Sequence, residues 1–419
     1  MTQHRLFHDQ LALDGAMPVR RLPLPNWPSF GDEEVEATAR VLRSGKVNYW
    51  TGGETRRFER EFAEAVGCRY GVAVANGTLA LEAALAALGI GPGDEVIVTC
   101  RSFIASASCC VMRGARPVFA DVDPNSQNVT AETVAAVLSP QTRAILAVHL
   151  AGWPCEMDAI ADMARRHGLA VIEDCAQGHG ATYRGRPIGS LGDVAAFSFC
   201  QDKIMTSGGE GGMVVTNRDD LWERAWSLKD HGKSWHAVHQ PRGDRVFQWL
   251  HESIGTNWRM TEMQGAIGRI ALRRLPQWSR RRRQHALRLA ARLSALPSLR
   301  VPMPPAHVEH AYYKFYAFLR PEWLSPGWSR DRVVRAIQAE GIPCGSGICP
   351  EIYREKAFDQ PEYRPASRLP EARRLGETSL MFQVHPTLSR TDIDDTALAV
   401  EKVLAKATAS LPHIHRRAA

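Results

Sequence analysis

No Cys-x-x-Cys pair and no mixed cysteine–histidine spacing occurs anywhere in the 419 residues. The nine cysteines are odd in number and scattered. That argues against a disulfide framework or a zinc site and leads us to expect a reducing, cytoplasmic setting. Long apolar runs are also missing. The richest, such as residues 79–90, fall well short of the ~20 residues that a membrane span needs. The opening MTQHRLFHDQ contains no apolar segment of the signal-peptide kind. One-sided charge is scarce as well: 52 Lys and Arg against 45 Asp and Glu leave a net charge of +7. The basic residues are mostly dispersed, and the densest run, residues 280–283, lies in a helical stretch and reads as a solvated or subunit-facing surface. Without a clustered basic stripe or a helix-turn-helix pattern, a nucleic-acid partner is not expected. An anionic small molecule fits the charge equally well. There is no internal repeat.

What is present is an alternation of short apolar runs with helical spacing. Strand-like pieces fall at residues 71–75, 94–99, 117–122, 144–150, 169–173, 194–200 and 212–216. Between them lie helical patterns at residues 79–88, 103–112, 130–138 and 157–167, the third capped by Thr130 and the last closed by Gly168. Strands that are apolar throughout and separated by helices imply an α/β fold with a mostly parallel sheet covered on both faces. After about residue 262 a long helical stretch, expected to be interrupted at Pro276, leads to a smaller α+β region. There residues 311–318 (AYYKFYAF) read as a strand and residues 330–340 as a helix. The implied organisation is an N-terminal extension (1–24), a large domain (25–265), a small domain (266–408) and a basic, disordered tail (409–419).

In open parallel sheets, ligands bind outside the carboxyl ends of the strands. That rule selects five segments: 76–78, 101–103, 149–154, 174–179 and 201–212. The Asn76-Gly77-Thr78 turn between a strand and a helix offers amides and a hydroxyl to a phosphate, and Ser198 could face the same group. Asp174 ends a buried strand, where a carboxylate calls for a cationic partner; it could pair with a heteroaromatic nitrogen, or with a structural base. Gln177 lies one helical turn further on. Phe103 could stack on a planar ring or belong to the core. Lys203 lies just past a buried strand and ahead of glycines 208, 209, 211 and 212, which admit a ligand close to backbone. It could be a salt-bridge partner, a phosphate ligand or a Schiff-base nucleophile. A phosphate cradle, a stacking face, an aspartate for a ring nitrogen and a Schiff-base lysine together describe a site for pyridoxal phosphate.

The segments FEREFAEAVGCRYGVAVANGTLALEAAL, GIGPGDEVIV, EDCAQGHGATYRGRPIGSLGDVAAFSF, the K-x5-GEGG run from Lys203 and GTNWRMTEMQGAIG resemble the DegT/StrS-type sugar aminotransferases. These are fold-type-I pyridoxal phosphate enzymes, and the resemblance spans about residues 25–404. It implies a seven-stranded, mostly parallel sheet and a smaller C-terminal domain. It further implies Lys203 as Schiff-base lysine and proton carrier, Asp174 on the pyridine nitrogen, Gln177 near the ring hydroxyl and Phe103 on the ring face. Gly77, Thr78 and Ser198 would hold the phosphate. Asn257 would reach the phosphate of a neighbouring subunit, which implies a homodimer with shared sites. The chain departs from the family pattern at CRSF (100–103), at HLAGWP (149–154) and in the additional Gly208. These departures bear on the substrate rather than on the cofactor.

The expected activity is transamination from L-glutamate or glutamine to a ketosugar, nucleotide-linked, with pyridoxamine 5′-phosphate as the amino-carrying intermediate. The expected setting is amino-sugar and surface-polysaccharide biosynthesis. A cyclitol ketone or a sugar acid is the alternative acceptor. A sugar dehydratase on the same fold would carry histidine in place of Lys203. A non-catalytic cofactor-binding regulator or scaffold is the reading from another class. Nucleotide binding by the GGEGG loop fails for want of the P-loop lysine spacing.

Overall fold

A computed structural model describes residues 10–241 and 246–408; the tail expected to be disordered lies outside these residues. Seven strands form the central sheet: β1 (Tyr70–Val74), β2 (Glu95–Thr99), β3 (Arg116–Ala120), β4 (Thr142–Val148), β5 (Ala170–Asp174), β6 (Val194–Ser198) and β7 (Gly212–Thr216). Their order is β1-β7-β6-β5-β4-β2-β3. The five from β6 to β3 run parallel, and β7 is antiparallel to both of its neighbours. Strands β2, β6 and β7 are buried at every residue, as continuous apolar runs require when helices cover both faces.

The covering helices include α1 (Asp32–Ser44), α2 (Glu54–Ala65), α3 (Gly77–Ala87), α4 (Ala105–Met112) and α5 (Met157–His167). Helix α3 begins two residues before the expected 79–88, because the Asn76 side chain caps it by accepting the Leu79 amide at 3.0 Å. Helix α5 stops at Gly168, whose φ of +66° suits glycine. Thr130 caps its helix as expected, although the helix ends early, at Ala135.

The long helix α6 (Glu262–Leu293) differs from expectation by running through Pro276 without a break. Its first half packs on α1 and α2, and its last turns pack against α7 (Arg390–Ala407). Anchoring at both ends outweighs the ~3 kcal/mol that an interior proline costs. A four-stranded antiparallel sheet built on β8 (Leu299–Arg300), β9 (Phe315–Leu319), β10 (Cys344–Gly345) and β11 (Ser379–Phe382) completes the C-terminal region. Only the second half of residues 311–318 is strand, because Tyr312 takes a left-handed φ of +50°. The N-terminal segment is packed: Leu11 joins the core of the C-terminal region, with Val19 and Leu24 against it. Among the described residues no helix is long and apolar enough to cross a membrane.

Candidate active site

The carboxyl ends of β1, β2, β5 and β6 face one cleft, and the sequence-selected segments lie there. Gly77 opens α3 directly against Ser198 at the end of β6. A Cβ on Gly77 would come within 2.5 Å of the Ser198 Cβ and 2.8 Å of its Oγ, so the turn admits only glycine. The first-turn amides of α3, including that of Thr78, have no partner within the helix and give the turn the polarity of an anion site. Ser198 Oγ accepts the Cys200 amide at 3.4 Å, which leaves its hydroxyl proton for an acceptor in the cleft.

Asp174 ends β5 and is buried. Its Oδ2 accepts from Ser106 Oγ at 2.8 Å and its Oδ1 from the Ala176 amide at 3.1 Å. Burial raises its pKa, against these hydrogen bonds and the charge of Lys203. Among the described residues no lysine or arginine forms an ion pair with it. Gln177 Oε1 accepts the Ala151 amide at 2.8 Å. Its carbonyl is thereby committed, and its amide NH₂ remains as a donor toward the cleft. Phe103 follows β2 and is 58% exposed, a ring standing free at the strand ends. Lys203 has only 16% of its side chain exposed; its Nζ lies 3.8 Å from Asp202 Oδ1 and 5.1 Å from the centre of the Tyr313 ring.

Asn257 is set differently. It is exposed, and its backbone bridges Asp230 while the next residue pairs with Ala75 beside the phosphate turn. Its side chain makes no hydrogen bond to Gly77, Thr78 or Ser198 within the chain.

Two of the three departures from the family pattern carry structure that the sequence reading missed. In CRSF, Arg101 is fully buried, donating to Gln127 Oε1 at 2.9 Å and to Ser379 Oγ at 3.3 Å. It therefore ties the Phe103 turn to the C-terminal sheet. In HLAGWP, Ala151 takes a left-handed φ of +57°, a strained state for a residue with a Cβ. The Gln177 side chain holds it on one side, and the Tyr313 amide donates to the Ala151 carbonyl at 2.8 Å on the other.

Behind this loop the Cys155 amide donates to His149 Nδ1 at 3.0 Å, so the ring proton sits on Nε2 and is donated to Glu173 Oε2, also at 3.0 Å. Glu173 further accepts the amides of Gly189, Leu191 and Gly192. Burial works to raise its pKa, but His149 and these amides outweigh it and hold the pKa low. The pair is a latch for two loops, and its bonding capacity is spent on them.

The basic run at residues 280–283 is also not the uniform surface expected. Arg283 is exposed and pairs with Glu309, whereas Arg282 is 1% exposed and turned toward Tyr312 and Tyr313. Helical spacing alone does not reveal which residue of an arginine run another element will cover.

Comparison with known proteins agrees with this geometry. Residues 28–401 match the model of the DegT/DnrJ/EryC1/StrS aminotransferase family. The crystal structure of an aminotransferase from Psychrobacter cryohalolentis is 53% identical and superposes with a TM-score of 0.90, over 92% of this chain and 100% of that one. The spore coat polysaccharide biosynthesis protein SpsC of Bacillus subtilis is 34% identical over 90% of this chain and 96% of its own length. A UDP-N-acetyl-3-dehydro-alpha-D-glucosamine 3-aminotransferase of Acidithiobacillus ferrooxidans is 36% identical over 89% and 94% respectively.

Proposed function

This chain belongs to the DegT/DnrJ/EryC1/StrS aminotransferase family, and from that premise we propose that it moves the amino group of L-glutamate or L-glutamine onto a nucleotide-linked ketosugar. The setting we propose is amino-sugar and surface-polysaccharide biosynthesis in the cytoplasm. It is a transaminase acting on small molecules, and its cofactor is pyridoxal 5′-phosphate. The residues present fit that group: a glycine-only cradle at Gly77 and Ser198, a free ring at Phe103, and a buried carboxylate lacking a cation at Asp174. The last observation carries the reading, because an unpaired buried carboxylate is costly unless a bound cationic ring completes it.

When bound, the cofactor supplies a protonated pyridine ring that draws off the electron pair left at the donor's α-carbon. Asp174 keeps the proton on the ring nitrogen, and Ser106 and the Ala176 amide hold its carboxylate in place. Gln177 donates to the ring hydroxyl with the one end of its amide that is not spent on Ala151. Lys203 would hold the cofactor through Nζ and, once freed by the incoming amine, would serve as general base for the α-carbon proton. Tyr313 and Asp202 flank that nitrogen and limit where it can swing. Water would supply the carbonyl oxygen of the departing keto acid, and the ketosugar, losing its carbonyl oxygen as water, would take up the amino group with Lys203 making the reverse proton movements.

The exposed Asn257, unused within its own chain, supports a homodimer in which it reaches the phosphate of the other copy's cofactor. The division into a large domain (25–265) and a small one (266–408) belongs to the same proposal.

The test is spectroscopic. Protein loaded with pyridoxal phosphate should lose its near-visible band on adding L-glutamate or L-glutamine and regain it with a ketosugar. A loaded protein whose band ignores both amino acids is a cofactor-binding scaffold and ends the transaminase reading. Recovery with cyclitol ketones alone would replace the sugar as acceptor.

A further inference from the structure

Between Lys203 and the C-terminal region lies a cavity of about 550 Å³ with Trp27, Asp202, Arg282, Tyr313, Lys314 and His385 in its walls. Arg282 is 1% exposed; its Nη1 donates to the carbonyls of Tyr312 and Tyr313 at 3.5 and 3.3 Å, while its Nε and Nη2 have no partner. A buried donor left open is costly, and a guanidinium presents its donors as a fork matched to a carboxylate. Lys314 makes no hydrogen bond or ion pair among the described residues. Its Nζ stands 4.8 Å from the centre of the Tyr313 ring, the same ring that Lys203 Nζ approaches at 5.1 Å. Burial holds the pKa of both cations down, that of Arg282 to about 9.

The only acid in the wall is already committed. Asp202 accepts the Tyr313 hydroxyl through one oxygen and lies 3.8 Å from Lys203 Nζ through the other. His385 adds no charge: burial lowers its pKa to about 3, and its ring is stacked on Trp27 and hydrogen-bonded to Gln383 Oε1 and Thr387 Oγ1. The wall therefore holds a lysine without a partner, a buried arginine with two unpartnered donors behind it, and one carboxylate already committed. It is built for an anionic oxygen group.

We infer that this cavity seats the carboxylate of the amino-acid donor, with Lys314 as its binding residue and Arg282 as the buried support. The inference rests on the transaminase reading of Lys203. It chooses the donor over the diphosphate of a nucleotide sugar on grounds of reach. The donor's carboxylate is bonded to the carbon whose amine replaces Lys203 Nζ, so it must lie within a few bonds of that nitrogen. A diphosphate is separated from the reacting ketone by the whole sugar ring. The cavity shares two walls with the surroundings of Lys203 Nζ, which lies 3.8 Å from Asp202 Oδ1 and 5.1 Å from the centre of the Tyr313 ring.

The test compares wild type with Lys314→Gln and Lys314→Arg. Three quantities are measured: half-saturation by L-glutamate in the donor half-reaction, half-saturation by a UDP-linked ketosugar in the acceptor half-reaction, and glutarate affinity by calorimetry. Lys314→Gln should weaken glutamate and glutarate by about tenfold or more, change the ketosugar by less than about twofold, and leave the cofactor band intact. Lys314→Arg should restore most of the loss. Unchanged glutamate and glutarate, or equal weakening of all three ligands, would overturn the assignment. Weakening confined to the UDP-linked ketosugar would also overturn it and give the cavity to the acceptor's diphosphate. If the wild type shows no cofactor band at all, the reading of Lys203 fails instead, and glutarate calorimetry, which needs no chemistry, still decides the cavity.

Discussion

Two lysines of this chain are drawn out of water beside aromatic rings, and only one of them lies at the strand ends. Lys203 keeps 16% of its side chain exposed, at the open end of β6, with Asp202 and Tyr313 as neighbours. Lys229, at the end of the helix Asp219–Lys229, is fully buried. Its Nζ is 3.4 Å from the centre of the Tyr49 ring and 3.8 Å from Asp230 Oδ2, without a hydrogen bond. Burial lowers its pKa to about 8, against the attraction of Glu59 and Asp230. Chosen by perturbed pKa alone, Lys229 would be the candidate nucleophile. Its surroundings exclude that role. Glu59 accepts the Ala73 amide at 2.9 Å and the Tyr49 hydroxyl at 3.1 Å, and Asp230 takes Lys233 and Arg259, so every neighbour is a fixed part of the fold. Desolvation marks both lysines, and access from the strand ends separates them.

The comparison breaks if the two substitutions behave alike. Lys203→Ala should remove the cofactor's near-visible band and lower turnover by at least about 10³-fold, while denaturant unfolding of the apoprotein changes little. Lys229→Met should do the opposite, keeping the band but lowering unfolding free energy by about 3–5 kcal/mol, because Glu59 and Asp230 lose a buried cation. Loss of the band in Lys229→Met, with stability retained, would show that burial alone had identified the right lysine after all.

Asp174→Asn separates activity from stability at one residue. Turnover should fall by about 10²-fold, since an amide does not hold a proton on the ring nitrogen. The apoprotein should become more stable at pH 8, by about 1–3 kcal/mol. Burial raises the folded pKa of Asp174 above its unfolded value, so its ionisation costs stability above the folded pKa. That cost disappears as pH falls through the folded pKa. The difference between variant and wild type, read from unfolding curves at several pH values, should therefore shrink on acidification; a gap that widens would reverse the assigned sign. The smallest effect belongs to Ser198→Ala, which should weaken cofactor capture about tenfold, or about 1.4 kcal/mol, in a titration followed at the cofactor band.

Legibility followed locality. Strands β2, β6 and β7 and the caps at Thr130 and Gly168 were readable because apolar runs and caps act within a few residues of chain. The constellation of Gly77, Ser198, Asp174, Gln177 and Lys203 was readable because strand ends converge in any open parallel sheet. Arg282 and Arg101 were not, since a surface arginine and a buried one have the same letter and the covering elements lie far off in sequence. Pro276 misled for the same reason: its local cost is real, and the packing that outweighs it comes from α1, α2 and α7. Tyr312 gave no sign of its left-handed turn, because hydrogen bonds from Ala311 and Tyr313 to the 149–154 loop hold that segment.

By itself the sequence determined the α/β class, the strand ends at which chemistry would gather and the lysine placed among glycines, because each depends on periodicity and on side chains near in the chain. Tertiary structure alone decided that no lysine or arginine among the described residues pairs with Asp174, that Lys229 is sealed, and that Arg282 and Lys314 line one cavity together with Asp202, the neighbour of Lys203. Those are facts about which distant groups share a low-dielectric space, and the free energy of a charge there is set by its neighbours in space rather than in sequence.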